Sequence, residues 1–284
     1  MTLGIGVMCD KGETLVLASE GRITYGETPI VPNEKGLKQF YLKPHKVLVC
    51  VAGKLSHGQG IYSQFHHTID QLEEQGDLPQ EVFMRLLDSA RARELKRIAD
   101  WTLKTKVGFS LHEWHTGTVK GVRMNRLIVE CGKTIYENTR LPVEMIVAGF
   151  SGGYGVFFKA IRERLSEEET HPGVFAIGSG QLAAMQQLNK RGQNSHISLG
   201  RTLLHIYEAM LLAQSKSVGP PPEFASIIRK DVPQILVYPL RSLETWRKAY
   251  ESRASTASLD ETPITGVEVM NRLRYLREAD VDNE

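Results

Sequence analysis

The sequence predicts an α+β fold, namely a four-layer αββα sandwich in which two antiparallel sheets pack face to face and helices cover both outer faces. Two observations lead to this prediction. Short β-prone segments alternate with pairs of helical segments, in the order strands, two helices, strands, two helices, strands. The 284 residues can bury a substantial core, and a composition of 41% hydrophobic and 24% charged residues is typical of a globular protein.

The first half of the chain begins with predicted strands. Apolar residues on both sides of Asp10-Lys11-Gly12 predict a hairpin, because this triplet has the composition of a tight turn. A loop with two prolines follows, and after it two more apolar segments. The four predicted strands lie at residues 3–7, 13–19, 38–42 and 46–52, and Gly53 closes the last of them.

Two helices are predicted next. From Ser56 the apolar residues recur at helical spacing, which predicts one helix that ends at Gly76 and a second that follows Pro79. The second helix carries a group of cationic residues that we interpret as a solvated face in preference to a binding patch: Arg91, Arg93, Lys96 and Arg97.

The second half repeats this order. Strands are predicted at residues 107–115, 126–130, 144–150, 173–177, 224–228 and 234–238, and helices after Gly180 and over about 197–214. Residues 2–240 are expected to form one domain. Residues 241–284 are charged and poor in β-branched runs, so they are predicted to be an extension with one or two helices.

Composition narrows the class of protein. A formal net charge of +2 does not favour a nucleic-acid partner. The nine histidines show no zinc-site spacing, and no metal or cofactor is expected. The apolar run at 47–52 is too short to span a membrane, and a cytoplasmic protein is expected. Three cysteines, each in an apolar stretch, are expected to be buried thiols in a reducing compartment: Cys9, Cys50 and Cys131.

The N-terminus carries a candidate nucleophile. Thr2 is small enough to allow removal of Met1, and it lies directly before the first predicted strand. A threonine hydroxyl needs a base to act as a nucleophile, and a free α-amine on the same residue can be that base. The reference pKa of an α-amine, about 7.7 to 8.0, leaves a usable unprotonated fraction near neutral pH.

Four segments carry a resemblance to a known family. The opening TLGIGVMCDKGETLVLASEGRITYG resembles the start of a proteasome β-type subunit, in which a terminal threonine precedes a strand, a turn and an apolar strand. Three further segments occur in the family's order: KQFYLKPHKVLVCVAG, PVEMIVAGF and VFAIGSG. The resemblance covers the layout of residues 2–240 and implies an N-terminal-nucleophile hydrolase of the bacterial proteasome-like kind.

The resemblance assigns roles to residues near Thr2. It implies that Thr2 attacks a peptide carbonyl and that Lys38 is the family's active-site lysine, with Lys35 as the alternative. A cation there would lower the pKa of the threonine hydroxyl and amine. Glu20 takes the place of the family's aspartate at the end of the second strand, and Gly53 matches the glycine of the oxyanion hole.

The remaining roles fall in the second half of the chain. Ser179 matches the serine near the threonine amine, although a helix N-cap is the alternative interpretation of the same position. Ser217 matches a second serine. The acid expected three residues before it is replaced by Gln214, which removes one orienting hydrogen bond.

The resemblance implies a threonine endopeptidase that cuts peptides or unfolded proteins inside a homo-oligomeric ring or stacked rings. A separate ATP-dependent unfoldase is the expected source of substrate, because the chain has no ATP-binding motif. Two alternatives stay open. Because of Glu20 and Gln214 the chain could be a weak or inactive ring scaffold, and other members of this broad fold are amidases that act on small molecules.

Overall fold

The computed structural model of the protein describes residues 3–20, 23–25, 28–30, 39–42, 46–72, 78–160, 167–168, 173–214, 218, 224–232, 236–239 and 274–275. Over these ranges the chain is mixed α+β, with antiparallel sheets and six α-helices. The helices are α1 (Leu55–Asp70), α2 (Gln80–Val107), α3 (Leu111–Thr116), α4 (Arg126–Glu137), α5 (Gln181–Lys190) and α6 (Leu199–Ala213).

The strands form two larger sheets and two small hairpins. They are β1 (Leu3–Cys9), β2 (Thr14–Ser19), β3 (Ile23–Tyr25), β4 (Thr28–Ile30), β5 (Gln39–Leu42), β6 (Val47–Gly53), β7 (Thr118–Val119), β8 (Val122–Arg123), β9 (Val143–Ser151), β10 (Tyr154–Ala160), β11 (Glu167–Glu168), β12 (Val174–Gly178), β13 (Phe224–Arg229), β14 (Leu236–Pro239) and β15 (Arg274–Tyr275). The first sheet has the order β12-β1-β2-β13-β14-β15 and the second β11-β10-β9-β6-β5, with antiparallel pairing throughout. The hairpins are β3-β4 and β7-β8.

The hydrophobic core has three main parts, and the period-two alternation of strand side chains explains them. One cluster joins β1 to α5 and α6, with Ile5 packed in the same group as Leu188 and Ile206. A second cluster joins β6 and β9 to α1 and α2. The third contains residues of both sheets, among them Leu17 and Ile146. Each fully buried aliphatic side chain of this kind stabilises the fold by about 1.5 to 3 kcal/mol.

A glycine in β1 lets the two sheets approach each other closely. A Cβ on Gly4 would lie 2.6 Å from the Cys50 sulfur of β6 and 3.0 Å from Ile177 Cγ1. The alternation of glycine with large apolar residues at the start of β1 therefore reflects packing on both faces. Leu3 and Ile5 face the helices, whereas Gly4 faces the second sheet.

Two predicted strands are wrong, because both regions are helical. Residues 107–115 contain the end of α2 and all but the last residue of α3, and residues 126–130 lie in α4. Capping side chains account for both helices. Ser110 and Glu113 form a capping box at the start of α3, and the Asn125 side-chain oxygen accepts a hydrogen bond from the Ile128 N–H at 2.9 Å.

Other predicted elements are confirmed with small shifts at their ends. They include the β1–β2 hairpin, β6, β9, β12, α5, α6 and β13. The first helix ends at Asp70, and the predicted end at Gly76 lies outside the described residues. Strand β10, which pairs with β9 after a Gly152-Gly153 turn, was missed by the sequence analysis. Of residues 241–284 the structure describes β15, which pairs with β14.

Two side chains differ from expectation. Arg91 is 7% exposed instead of facing water, and its guanidinium lies 3.5 Å from the Asp88 carboxylate. Cys131 is exposed, whereas Cys9 and Cys50 are buried as predicted.

Candidate active site

Three other segments of the chain meet at the start of β1. Leu3 pairs with Gly178 at the end of β12, and its carbonyl accepts a hydrogen bond from the Glu20 N–H at 3.0 Å. A Cβ on Gly180 would lie 3.4 Å from the Leu3 Cβ and 3.2 Å from Val218 Cγ2. The turn after β12, the end of β2 and the segment after α6 therefore surround the residue that follows Thr2.

Three predicted site residues lie outside the described residues: Thr2, Lys38 and Ser217. Their chain neighbours Leu3, Gln39 and Val218 are described. Leu3 and Val218 both lie close to Gly180. The structure thus brings the neighbours of Thr2 and Ser217 together.

Glu20 directly follows β2 and is 1% exposed. Its backbone is fixed by the hydrogen bond to Leu3, and it follows Ser19, which pairs with Gly4. A buried carboxylate requires a polar or cationic partner to be stable. The predicted acid is therefore held inside the protein beside the start of β1.

A polar network that the sequence analysis missed fixes the start of β5. The Gln39 amide nitrogen donates to Ser19 Oγ at 3.2 Å, and Ser226 Oγ donates to the Gln39 amide oxygen at 2.5 Å. The Tyr41 hydroxyl lies 2.8 Å from Ser226 Oγ. Burial raises the pKa of Tyr41, with the hydrogen bond to Ser226 opposing it, so this hydroxyl stays protonated. The residue after Lys38 is thereby tied to the residue before Glu20.

Gly53 ends β6 with a backbone that favours glycine. Its φ is +99°, and a Cβ there would overlap the Pro142 carbonyl oxygen. The Lys54 N–H donates to that oxygen at 2.9 Å, so Gly53 and Val143 form a non-hydrogen-bonded pair of the β6–β9 ladder. The Gly53 N–H consequently points away from β9. Gly53 is exposed, and its N–H takes no part in the β6–β9 ladder.

Ser179 lies in the turn between β12 and α5. It is exposed, and the N-cap of α5 is Gly180, without a side-chain capping bond. The alternative interpretation of Ser179 as a helix N-cap is therefore wrong. Ser179 directly follows the partner of Leu3, which leaves its hydroxyl near the start of β1.

A carboxylate that the sequence analysis missed holds this turn. Glu144, at the start of β9, accepts a hydrogen bond from the Gly178 N–H at 2.7 Å. This contact links the second sheet to the strand that pairs with Leu3. Because the two residues are 34 positions apart, no local motif indicates the contact.

We expect Glu144→Ala to lower the free energy of unfolding by about 1 to 3 kcal/mol, because it leaves the Gly178 N–H without its charged acceptor. Glu144→Gln keeps an acceptor oxygen and should cost less. Urea unfolding would measure both. The exposed Glu130→Ala serves as the control, with an expected change within about 0.5 kcal/mol. Equal stability of Glu144→Ala and the control would show that this hydrogen bond contributes nothing.

Gln214 is the exposed C-cap of α6, and its N–H donates to the Leu211 carbonyl at 3.2 Å. Position 214, where a carboxylate is expected, is thus held in place by the end of α6 and carries an amide instead. An amide there can donate or accept a hydrogen bond, but it supplies no negative charge.

A polar cluster centred on the buried Glu94 anchors the segment that follows Gly53. His57 Nδ1 lies 2.9 Å from Glu94 Oε1, and Arg97 donates to both Glu94 oxygens at 2.7 and 2.6 Å. Burial lowers the pKa of His57, so the ring is neutral at pH 7 and donates from Nδ1. Burial alone would raise the pKa of Glu94, but the hydrogen bonds from Arg97 and His57 outweigh it and the pKa is lowered. The cluster fastens the start of α1 to α2.

No protein-family model matches the chain, and no curated protein is similar to it. Among the described residues, no helix has the length and apolar character to cross a membrane. Over the same ranges, no group of three or more His, Cys, Asp and Glu side chains is arranged to bind a metal ion.

Proposed function

We propose that the protein is a threonine peptidase of the N-terminal-nucleophile type, with the proteasome-like four-layer αββα architecture. The observation that carries the proposal is the convergence at the start of β1. The buried Glu20, the Gly178–Gly180 turn and Val218 all lie beside the residue that follows Thr2. A helix-sheet-sheet-helix order requires one core between the two sheets and one between each sheet and its helices, and the three core clusters fit this requirement.

The proposed reaction begins once Met1 has been removed. The Thr2 hydroxyl attacks a peptide carbonyl carbon while the Thr2 amine accepts its proton, and the Gly53 N–H donates to the developing oxyanion. The amine then returns the proton to the leaving nitrogen as the C–N bond breaks. Water hydrolyses the resulting ester by the same route. In the proposed mechanism Glu20 holds Lys38, and the charge of Lys38 favours the deprotonated hydroxyl and the neutral amine.

The proposal includes assembly. An exposed nucleophile of this kind would cut any loose segment it met, so a homo-oligomeric ring or stacked rings would enclose it. Peptides or unfolded proteins are the proposed substrates, and a separate ATP-dependent unfoldase would supply them. The proposed compartment is the cytoplasm.

An inactive ring scaffold is the second candidate function. It is favoured by the amide of Gln214 where the family has a carboxylate, and by glutamate at position 20 in place of aspartate. Neither substitution disturbs the described packing around Leu3, because Gln214 is exposed and Glu20 is accommodated in the interior. A scaffold would keep the assembly and lack the reaction.

A peptide epoxyketone tests the proposal directly, because this reagent reacts with a hydroxyl and a free amine on one residue. We expect the purified protein to lack Met1 by intact mass and to form one adduct, mapped to Thr2. A protein that keeps Met1 in most molecules, or that forms no adduct after Met1 removal, would favour the scaffold. Heat-denatured protein is the control for non-specific labelling.

A further inference from the structure

A wide, open cleft of about 500 Å³ lies on the surface between α2 and α3 and is lined mainly by cationic and imidazole side chains. Arg93, Lys96 and Arg97 line one wall, and their i, i+3, i+4 spacing places them on one face of α2. His112 and His115, three residues apart on α3, line the other wall. Arg93, Lys96 and Arg97 are exposed, as the interpretation of a solvated face predicts, and they border this open cleft.

The fold fixes α3 against α2, so the cleft is preformed. Gly108, with φ at +81°, ends α2 in a left-handed conformation and turns the chain back. The Leu111 N–H then donates to Asp100 Oδ1 at 2.8 Å. This hydrogen bond ties the start of α3 to α2, about two turns before α2 ends. Phe109 is buried with Leu103 beneath this turn.

The carboxylates of Asp100, which itself lines the cleft, and of Glu113 on α3 are already engaged. Asp100 accepts from Lys104 at 2.6 Å as well as from Leu111, and these two hydrogen bonds lower its pKa. Glu113 is held by the Ser110 N–H and hydroxyl. By contrast, Arg93 and Lys96 form no ion pair with any residue that the structure describes. The Arg93 and Lys96 side chains therefore border the cleft without a protein counterion from the described part of the chain.

Arg97 is held in position for binding. The fully buried Glu94 fixes one edge of its guanidinium through Nε and Nη2, and His57 holds Glu94 in turn. The Arg97 side chain is nevertheless 58% exposed. Because an arginine fixed by a buried carboxylate loses little rotamer freedom on binding, its remaining donors are available at low entropic cost.

We propose that this cleft binds the phosphate group of a small soluble ligand. A phosphate dianion matches the two unpaired cations, and arginine donors suit its oxygens. A single carboxylate would leave one of the charges uncompensated. The inference does not depend on the proposed peptidase activity.

Isothermal titration calorimetry with inorganic pyrophosphate, at low chloride and constant pH, tests the site. We expect saturable binding that weakens about tenfold or more in the double variant Arg93→Gln, Lys96→Gln, because two charge-assisted contacts are lost. The matched control is Arg85→Gln, Lys106→Gln, which removes the same charge from exposed positions of α2 outside the cleft. Its affinity should equal that of the unmodified protein.

Two further ligands identify the source of the phosphate. ATP binding more tightly than tripolyphosphate would indicate a nucleotide, whereas equal affinities would indicate recognition of the phosphate chain alone. Either result supports the site if the Arg93→Gln, Lys96→Gln variant weakens the binding of ATP and tripolyphosphate. Absence of saturable binding by all three probes, or equal weakening in both double variants, would overturn the proposal. Circular dichroism of the variants shows that a loss of binding is not a loss of fold.

Discussion

Thr2→Ala is expected to reduce hydrolysis of short fluorogenic peptides by about 1000-fold or more while leaving the oligomer intact. The substitution removes the hydroxyl that would attack the carbonyl and keeps the α-amine. Position 2 precedes β1, and packing in the described structure begins at Leu3, which is fully buried. The loss should therefore appear as a lower kcat, measured under single-turnover and steady-state conditions, without a change in assembly by size-exclusion chromatography.

Thr2→Ser is the matched variant, because it keeps a hydroxyl and an amine on the same residue and should retain measurable activity. Equal rates for the unmodified protein and Thr2→Ala would remove the catalytic role of Thr2 and favour the scaffold. Failure of both variants to hydrolyse a substrate that the unmodified protein cuts would indicate that the γ-methyl group of threonine is also required.

Most of the strands and the helices that pack on the two larger sheets could be predicted from the sequence, because their side-chain periodicity is set by burial. The β1–β2 segment is an example, since Leu15 and Val16 belong to different core clusters. The region between α2 and β9 could not be predicted in this way. Its core is a small cluster around Leu103 and Phe109, and β-prone residues such as Ile128 are exposed or half-exposed there.

Local capping signals would have corrected that region. Ser110-x-x-Glu113 is a capping-box sequence, and Asn125 is a strong N-cap residue. A local signal also indicates strand β10, because Gly152-Gly153 is a hairpin turn between two apolar segments.

Some residues of the candidate site could be predicted from the sequence and others could not. Gly53 and Ser179 could be predicted as site residues because the short segments that contain them, KQFYLKPHKVLVCVAG and VFAIGSG, resemble segments of a known family. Glu144 and Gln39 could not, because each acts through a partner far away in sequence. Such partners follow from the register of the sheets and from how the sheets pack on each other, which one sequence does not specify.

Gly53→Ala is expected to lower the free energy of unfolding by about 3 kcal/mol or more. A non-glycine residue at a φ of +99° costs about 1 to 3 kcal/mol, and the new Cβ would also overlap the Pro142 carbonyl oxygen, a backbone atom that cannot rotate away. Relief of the overlap would separate β6 from β9 at this end and weaken the Lys54 N–H bond to the same oxygen. Urea unfolding would measure the loss.

Gly152→Ala separates the two contributions, because Gly152 also has a positive φ, +56°, but a Cβ there would have no atom within 4 Å. This control should lose about 1 kcal/mol, so the excess in Gly53→Ala measures the overlap with Pro142. If both variants lose the same amount, β6 and β9 can separate at little cost. The rigidity that the proposed oxyanion donor needs would then have to come from the His57–Glu94–Arg97 cluster on the other side of Gly53.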